Sequence, residues 1–377
     1  MKHPTVLAVV ILSLVLFSTG LARPDQDKGT TKTFSVGKGG TLDVTINAGA
    51  VRITGWEKDE VSVKVGGADA EDLARVEITQ DGTTIRVRDR SSGSSDMWVS
   101  ANVPSRFDVS IKTAGGDIQV EGPLSGDLRG STSGGDIRLG TLGGKLKMST
   151  AGGDIKAGNF DGDLSLSTSG GNITTGSISG EGDIATSGGE IRIENVGKTL
   201  RATTSGGEIR TGNVGGDAKL STAGGDVQIG EVKGNARLST AGGDIELRGA
   251  NGAVSAKTAG GNLALKGIVG SVDGSTAGGD IDTWLNPGKD SRSRLTTAGG
   301  NIRLQVPENA KATINARIRL EDRRLHESEQ YDIRADFKIE NLHKDSHEIR
   351  GTVNLNGGGG VITLETVMGN IEIRKAK

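Results

Sequence analysis

Along most of the chain, apolar and polar residues alternate in short stretches, the period-two pattern of strands with one buried face. From residue 113 onward the alternation also repeats at a fixed length. The motif Thr-Ala/Ser-Gly-Gly-Asp/Asn/Glu-Ile/Val/Leu starts at Thr113, Thr132, Thr150, Thr168, Thr186, Thr204, Thr222, Thr240, Thr258, Thr276 and Thr297. The intervals are 19 residues, then eight of 18, then 21. In each unit one strand is carried by pairs such as Ile137/Leu139, Ile155/Ala157, Ile191/Ile193, Val227/Ile229 and Ile245/Leu247. A second is carried by Leu146/Met148, Leu164/Leu166, Leu220 and Leu238, with Leu142, Phe160, Ile178, Val196, Val214, Val232 and Ile268 between the two. One unit cannot bury these columns alone, but stacked neighbours can. The pattern predicts an all-β fold: a parallel β-solenoid of about eleven 18-residue coils spaced roughly 4.8 Å apart, with irregular β caps at both ends. The Gly pair of each motif, and the Gly about nine residues later (Gly126, Gly144, Gly162, Gly234, Gly252, Gly270), are expected at sharp turns where positive φ is needed.

The flanks alternate less regularly. Runs such as TLDVTI (41–46), AVRITGW (50–56), EVSVKV (60–65), RVEITQ (75–80) and TIRVRD (84–89) make 32–112 an N-terminal β region that caps the solenoid and continues into it. The regular repeat occupies 113–318. Residues 319–350 are an excursion with 16 charged positions, and 351–377 return to the strand pattern, with TVMGNI (366–371) a worn copy of TAGGNI. Ahead of all this, a short basic start leads into the apolar run Val6–Phe17, and small residues at Gly20 and Ala22 fit cleavage before Arg23. The run is shorter than the roughly 20 residues a membrane span needs. Residues 1–22 are therefore expected to be a signal peptide and 23–31 a linker. The mature chain is expected to be exported to the periplasm, cell surface or medium, with no stable membrane span.

Composition narrows the function. There are 62 Gly, 3 Trp, 1 Tyr and 5 Phe, so the core must be thin and aliphatic. Lys and Arg number 45 against 47 Asp and Glu, which leaves no basic field or stacking platform for nucleic acid. The absence of Cys excludes disulfides, cysteine-ligated zinc and a lipid-modified cysteine.

Taken together, LDVTINAGAVRITGWEKDEVSVKV, ANVPSRFDVSIKTAGGDIQVEG, the Gly-Gly-Asp-Ile coils and the closing NGGGGVITLETVMGNIEIRK resemble the bacterial putative-adhesin family of β-strand-repeat domains of unknown function. The resemblance covers roughly residues 32–375. It implies an exported or envelope-associated β-repeat protein, and it carries over no catalytic residue. This chain departs from a minimal member in its long run of TxGGD coils and in the 319–350 excursion.

Candidate chemistry is sparse. The calcium-binding nonapeptide requires GGxGxDxUx, whereas here Asp directly follows the Gly pair, as in Gly115-Gly116-Asp117-Ile118. His343 and His347 stand i, i+4 and could share a helical face as a metal pair; the alternative is two solvated side chains. The GGGG run at 357–360 lacks the Lys-Ser/Thr of a phosphate loop. The Thr column invites an ice-binding reading, although corner packing also accounts for it. A polysaccharide-active enzyme would need carboxylates converging in a cleft. The outward column Asp117, Asp136, Asp154, Asn172, Glu190, Glu208, Asp226, Asp244, Asn262, Asp280, Asn301 is relieved over most of its length by Arg or Lys two positions on. Adjacent unrelieved carboxylates would repel by about 0.9 kcal/mol in a water-like dielectric. Asp244, Glu246, Asp280 and Asp282 lack such partners and are the expected place for a divalent cation, calcium rather than zinc. No other cofactor is expected. The chain is expected to be a non-enzymatic module that binds a surface ligand, a glycan or an envelope component, with a polysaccharide-active β-helix enzyme as the alternative.

Overall fold

The structure, a computed structural model, describes residues 29–37, 39–91, 96–320 and 331–376. The expected signal peptide lies outside them, as does His326. The described residues form 35 strands and one short helix, Ala70–Ala74. The fold is all-β and solenoidal, its coils built on two faces of mainly parallel strands. Two compact units divide the chain, Met1–Gly171 and Asn172–Lys377.

In the first unit the regular coils contribute Ile118–Glu121, Ile137–Leu139 and Ile155–Ala157 to one face, paired in parallel. Ser125–Ser131, Leu142–Ser149 and Phe160–Ser167 form the other. The N-terminal strands join these faces out of chain order. Ala50–Trp56 lies between Trp98–Pro104 and Ile118–Glu121, both parallel to it. Trp98–Pro104 then pairs antiparallel with Glu60–Gly66, which pairs antiparallel with Gly29–Ser35. On the other face Gly40–Thr45 lies between Thr84–Asp89 and Phe107–Lys112. Residues 29–31, expected in a linker, thus begin a strand.

In the second unit, Ile173–Thr175, Ile191–Ile193, Ile209–Thr211, Val227–Val232 and Ile245–Ala250 stack in register as one column. Gly182–Ala185, Leu200–Thr203, Ala218–Ser221, Ala236–Ser239 and Val254–Lys257 stack as the second. Ile178, Val196, Val214 and Val232 bridge in parallel between them. The core is what the alternation predicts: Ile173, Ile191, Ile209, Val227 and Ile245 are each fully buried.

The closing coils are wound out of chain order. Gly360–Thr366 pairs in parallel with Arg292–Thr297 on one side and Ala312–Arg319 on the other. Ile371–Lys375 likewise lies between Ile302–Val306 and Ile333–Ala335. The worn TVMGNI motif is therefore the next coil after Thr297 in space, although about 60 residues intervene along the chain. Outside 321–330, the charged excursion contributes paired strands: Glu348–Leu355 runs antiparallel to Ala312–Arg319, and Glu340–Lys344 runs antiparallel to Glu348–Leu355.

The motif glycines differ from expectation in their cause. Positive φ occurs at the half-turn positions Gly144, Gly162 and Gly270, but at neither member of any Thr-x-Gly-Gly pair. The second Gly of the pair is required by close approach of backbones. A Cβ on Gly207 would lie 2.1 Å from the Gly189 carbonyl oxygen of the coil before it, and one on Gly243 would lie 2.3 Å from that of Gly225.

Candidate functional site

The two polar columns of the repeat turn out to join coil to coil. Each motif Thr is buried, with Thr132 to Thr276 between 3% and 8% exposed. Thr240 Oγ1 donates to the Gly225 carbonyl at 2.8 Å and accepts from Gly243 N–H at 3.3 Å. Thr150, Thr168, Thr204, Thr222, Thr258 and Thr276 repeat the donation at 2.8–2.9 Å. Since a buried carbonyl left without a donor costs about 1–3 kcal/mol, these hydroxyls answer a structural need. They do not form an outward, ice-facing row.

The acidic column works in the same way. Asp136 N–H donates to Asp117 Oδ1, and Asp154 N–H donates to Asp136 Oδ1, both at 2.9 Å. In the second unit Asp226 Oδ1 receives Asp244 N–H, Asp244 Oδ1 receives Asn262 N–H, Asn262 Oδ1 receives Asp280 N–H and Asp280 Oδ1 receives Asn301 N–H, at 2.6–2.8 Å. The ladder continues through Asn370 to Asp332 N–H in the out-of-order coils. Asp and Asn serve alike because each places an acceptor oxygen at the same reach.

Of the four residues expected to hold a cation, the structure makes two pairs. Strand register puts Asp244–Asn262–Asp280 in one column and Glu246–Ala264–Asp282 in the next. The pairs are thus two rungs apart, roughly 9–10 Å at strand spacing, whereas calcium ligands lie about 2.3–2.6 Å from their ion. Glu246 lies 3.9 Å from the Arg248 guanidinium. Asp280 and Asp282 line a depression of about 400 Å³ shared with Arg303 and Glu372. Arg303 stands between Asp282 and Glu372 in register and binds Glu372 at 3.3 Å. Burial pushes the Glu372 carboxyl up, but Arg303 and Arg374 outweigh it and hold it below its ordinary value. Among the described residues no group of three or more His, Asp or Glu is close enough to share a metal ion.

His343 and His347 share no helical face. His343 is in the strand Glu340–Lys344, and His347 follows the turn. His343 Nε2 is 3.0 Å from Asp345 Oδ2, and His347 Nδ1 is 2.9 Å from Ser346 Oγ. Asp345 also accepts from the backbone N–H of His347 and Glu348, and these bonds, with His343, hold its carboxyl down to about 2. A nearby depression of about 620 Å³ is lined by Arg294, Arg317, Arg319 and Arg350, but Glu348 pairs with Arg317 and Arg350, and Glu365 with Arg319.

A further group of side chains, outside the ladders themselves, lies in the first unit. On the outer face of the N-terminal sheet, Lys64, Ser100, Arg52, Gln119 and Arg138 form one rung across five strands. On the next rung Trp98 stands between Gly66 and Ala50. Neither neighbour has a side chain large enough to stand beside the indole, so a depression of about 620 Å³ opens there, walled by Trp98, Lys64, Arg52, Gln119, Asp117 and Arg138. Gly66 is required: a Cβ there would fall 2.5 Å from Trp98 Cζ2. Lys64 Nζ lies 5.6 Å from the indole centroid, within cation–π range. Arg52 Nε donates to Gln119 Oε1 at 3.1 Å. Asp117 has both oxygens engaged, Oδ1 by Asp136 N–H and Oδ2 by Arg138 at 2.9 Å. This site is not among the candidates read from the sequence. Its signal was present in WVSANVP and AVRITGW, where buried Val99 and Val51 put Trp98 and Arg52 on the outer face.

A family model described as Toastrack DUF4097 matches residues 24–215 and again residues 198–374. No curated protein matches the chain. Among solved structures, a putative cell adhesion protein from Clostridium sporogenes ATCC 15579 is 11% identical, with 93% of this chain and 99% of that chain covered and a TM-score of 0.19. A putative adhesin from Parabacteroides distasonis ATCC 8503 is 12% identical, with 93% and 98% covered and a TM-score of 0.24. A putative lipid binding protein from the same organism is also 12% identical, with 93% and 98% covered and a TM-score of 0.20.

Proposed function

The chain belongs to the Toastrack DUF4097 family, and on that premise we propose that it is an exported, non-enzymatic binding module whose coils form a stiff scaffold for one ligand-facing surface. The observation that carries this is the division of labour among polar side chains. The Thr and Asp/Asn columns are committed to bonds between coils. Outside those columns, Trp98, Lys64, Arg52 and Arg138 line one depression of the first unit. Its one wall carboxylate, Asp117, has both oxygens engaged, by Asp136 N–H and by Arg138. Export rests on the leader-like residues 1–22, and among the described residues no helix is long and apolar enough to cross a membrane.

The test has two readouts. Expressed with its leader in a bacterial host, the chain is expected in the envelope or medium with a mature start near Arg23. Incubated with fractionated envelope polysaccharide, the mature protein is expected to bind saturably and to release no reducing ends, with binding lost in Trp98→Ala. An intact Met1 on exported protein would remove the cleaved leader. Release of reducing ends would restore the polysaccharide-active enzyme.

A further inference from the structure

Resting on the binding-module reading, we infer that the depression beside Trp98 is a subsite for a sugar bearing a carboxylate, a uronic acid unit of an acidic glycan. Each wall supplies one element of that recognition. Trp98 offers a flat, half-buried aromatic surface with only Gly66 and Ala50 beside it on the flanking strands, the form of contact that the C–H face of a pyranose ring takes. Gly66 leaves the space in which the indole lies against the neighbouring strand, which any Cβ there would take. Arg52 is the diagonal neighbour of Trp98 across the paired strands, and both line the same depression. Its Nε is tied to Gln119 Oε1, which orients the guanidinium. Among the described residues its two terminal nitrogens have no partner. A planar guanidinium with both terminal nitrogens available binds a planar carboxylate by two parallel hydrogen bonds. Ser100, on the same rung, provides a hydroxyl suited to sugar hydroxyls, while Gln119 is held by Arg52 on one side and Glu121 on the other.

The charge balance points the same way. Arg138 pairs with both Asp117 and Asp136, whereas Arg52 has no ion pair among the described residues. The depressions at Arg303 and at Arg317 hold their own counter-charges, Glu372 against Arg303 in the first, and Glu348 and Glu365 against arginines in the second. A carboxylate at Trp98 therefore has the Arg52 guanidinium to pair with, and a neutral sugar meets only the ring and Ser100.

The experiment is isothermal titration of the full mature chain with an oligogalacturonate and with its methyl ester, which keeps the sugar and removes the charge. The acid is expected to bind at least tenfold more tightly than the ester, and to weaken with added salt. Arg52→Gln is expected to lose at least tenfold toward the acid and little toward the ester. Trp98→Ala is expected to lose binding of both, Trp98→Phe to keep part of it, and Lys219→Gln, on an exposed position of the second unit, to change nothing. Melting temperatures of all four variants identify any that fail to fold, and Arg52→Gln alone carries the charge test if Trp98→Ala is one of them. Equal affinity for acid and ester, or acid binding untouched by Arg52→Gln and Trp98→Phe together, would overturn the inference. So would a galactose 6-phosphate oligomer that binds tenfold more tightly than the acid. Failure to bind any of these sugars while envelope fractions are still retained would also overturn it, and would leave the binding-module reading standing.

Discussion

Ile191→Asp is expected to lower the melting temperature far more than Arg192→Asp, its neighbour in the same strand. Ile191 is fully buried, stacked between Ile173 and Ile209, which are also fully buried. Asp at this position replaces an aliphatic contact worth about 1.5–3 kcal/mol with a polar group that has no partner in the column. The total reaches about 4 kcal/mol or more, the range of the most damaging single substitutions. Arg192 points outward and pairs with Glu190 at 3.0 Å, with its side chain 56% exposed. Reversing its charge removes a surface pair worth less than about 1 kcal/mol. Thermal melts of the two variants decide the matter, and equal losses would mean that the inward and outward phases of the coil are exchanged.

Gly279→Ala is expected to be nearly as damaging, although it adds a single methyl group, whereas Gly278→Ala next to it is expected to be tolerated. A Cβ at residue 279 would meet the backbone of the preceding coil, Gly261 O at 2.0 Å, Gly261 C at 2.5 Å and Asn262 N at 2.8 Å. Those atoms belong to the stack itself and cannot turn aside as a side chain would, so the rung has to open. Overpacking of this kind costs about 1–3 kcal/mol and more where relaxation is blocked. At residue 278 the nearest atom is Gly260 O at 3.5 Å, an ordinary contact. Alanine there restricts the unfolded chain and is worth up to about 1 kcal/mol in favour of folding. Denaturant unfolding of both variants separates this account from a positive-φ account, which has no basis at either position because both have negative or extended φ.

These contrasts mark where sequence reading succeeds and where it stops. The inward columns were legible because a period of two within the strand and of 18 along the chain leaves little choice of register. The role of the second motif glycine was not legible, since a residue required for turning and one required for close approach are the same letter. The acidic column was placed on the correct face, yet its purpose depends on a coil-to-coil distance absent from the letters. One clue was available: Asp and Asn exchange freely at 244, 262, 280 and 301, as they would where an acceptor oxygen is needed and a charge is not. The order of the closing coils was hidden because pairing across about 60 residues leaves no local trace beyond the worn motif at Thr366, whose Oγ1 donates to Gly300 O at 2.8 Å. The Trp98 depression depends on which strands flank it, and Gly66 and Ala50 become its neighbours only once the strands are paired out of chain order.

Residue-resolved amide hydrogen exchange tests most directly the central claim that the repeated polar side chains fasten one coil to the next. The amides of Asp244, Asn262, Asp280 and Asn301 donate to side-chain Oδ1 atoms one coil back and are expected to exchange slowly, although their own side chains are exposed. The amides of Glu208 and Asp226 follow coils that carry Glu190 and Glu208, one methylene longer, and among the described residues they have no acceptor. They are expected to exchange faster than the other four by an order of magnitude or more. Slow exchange at the four and fast exchange at the two is the predicted result; one common rate at all six would contradict it.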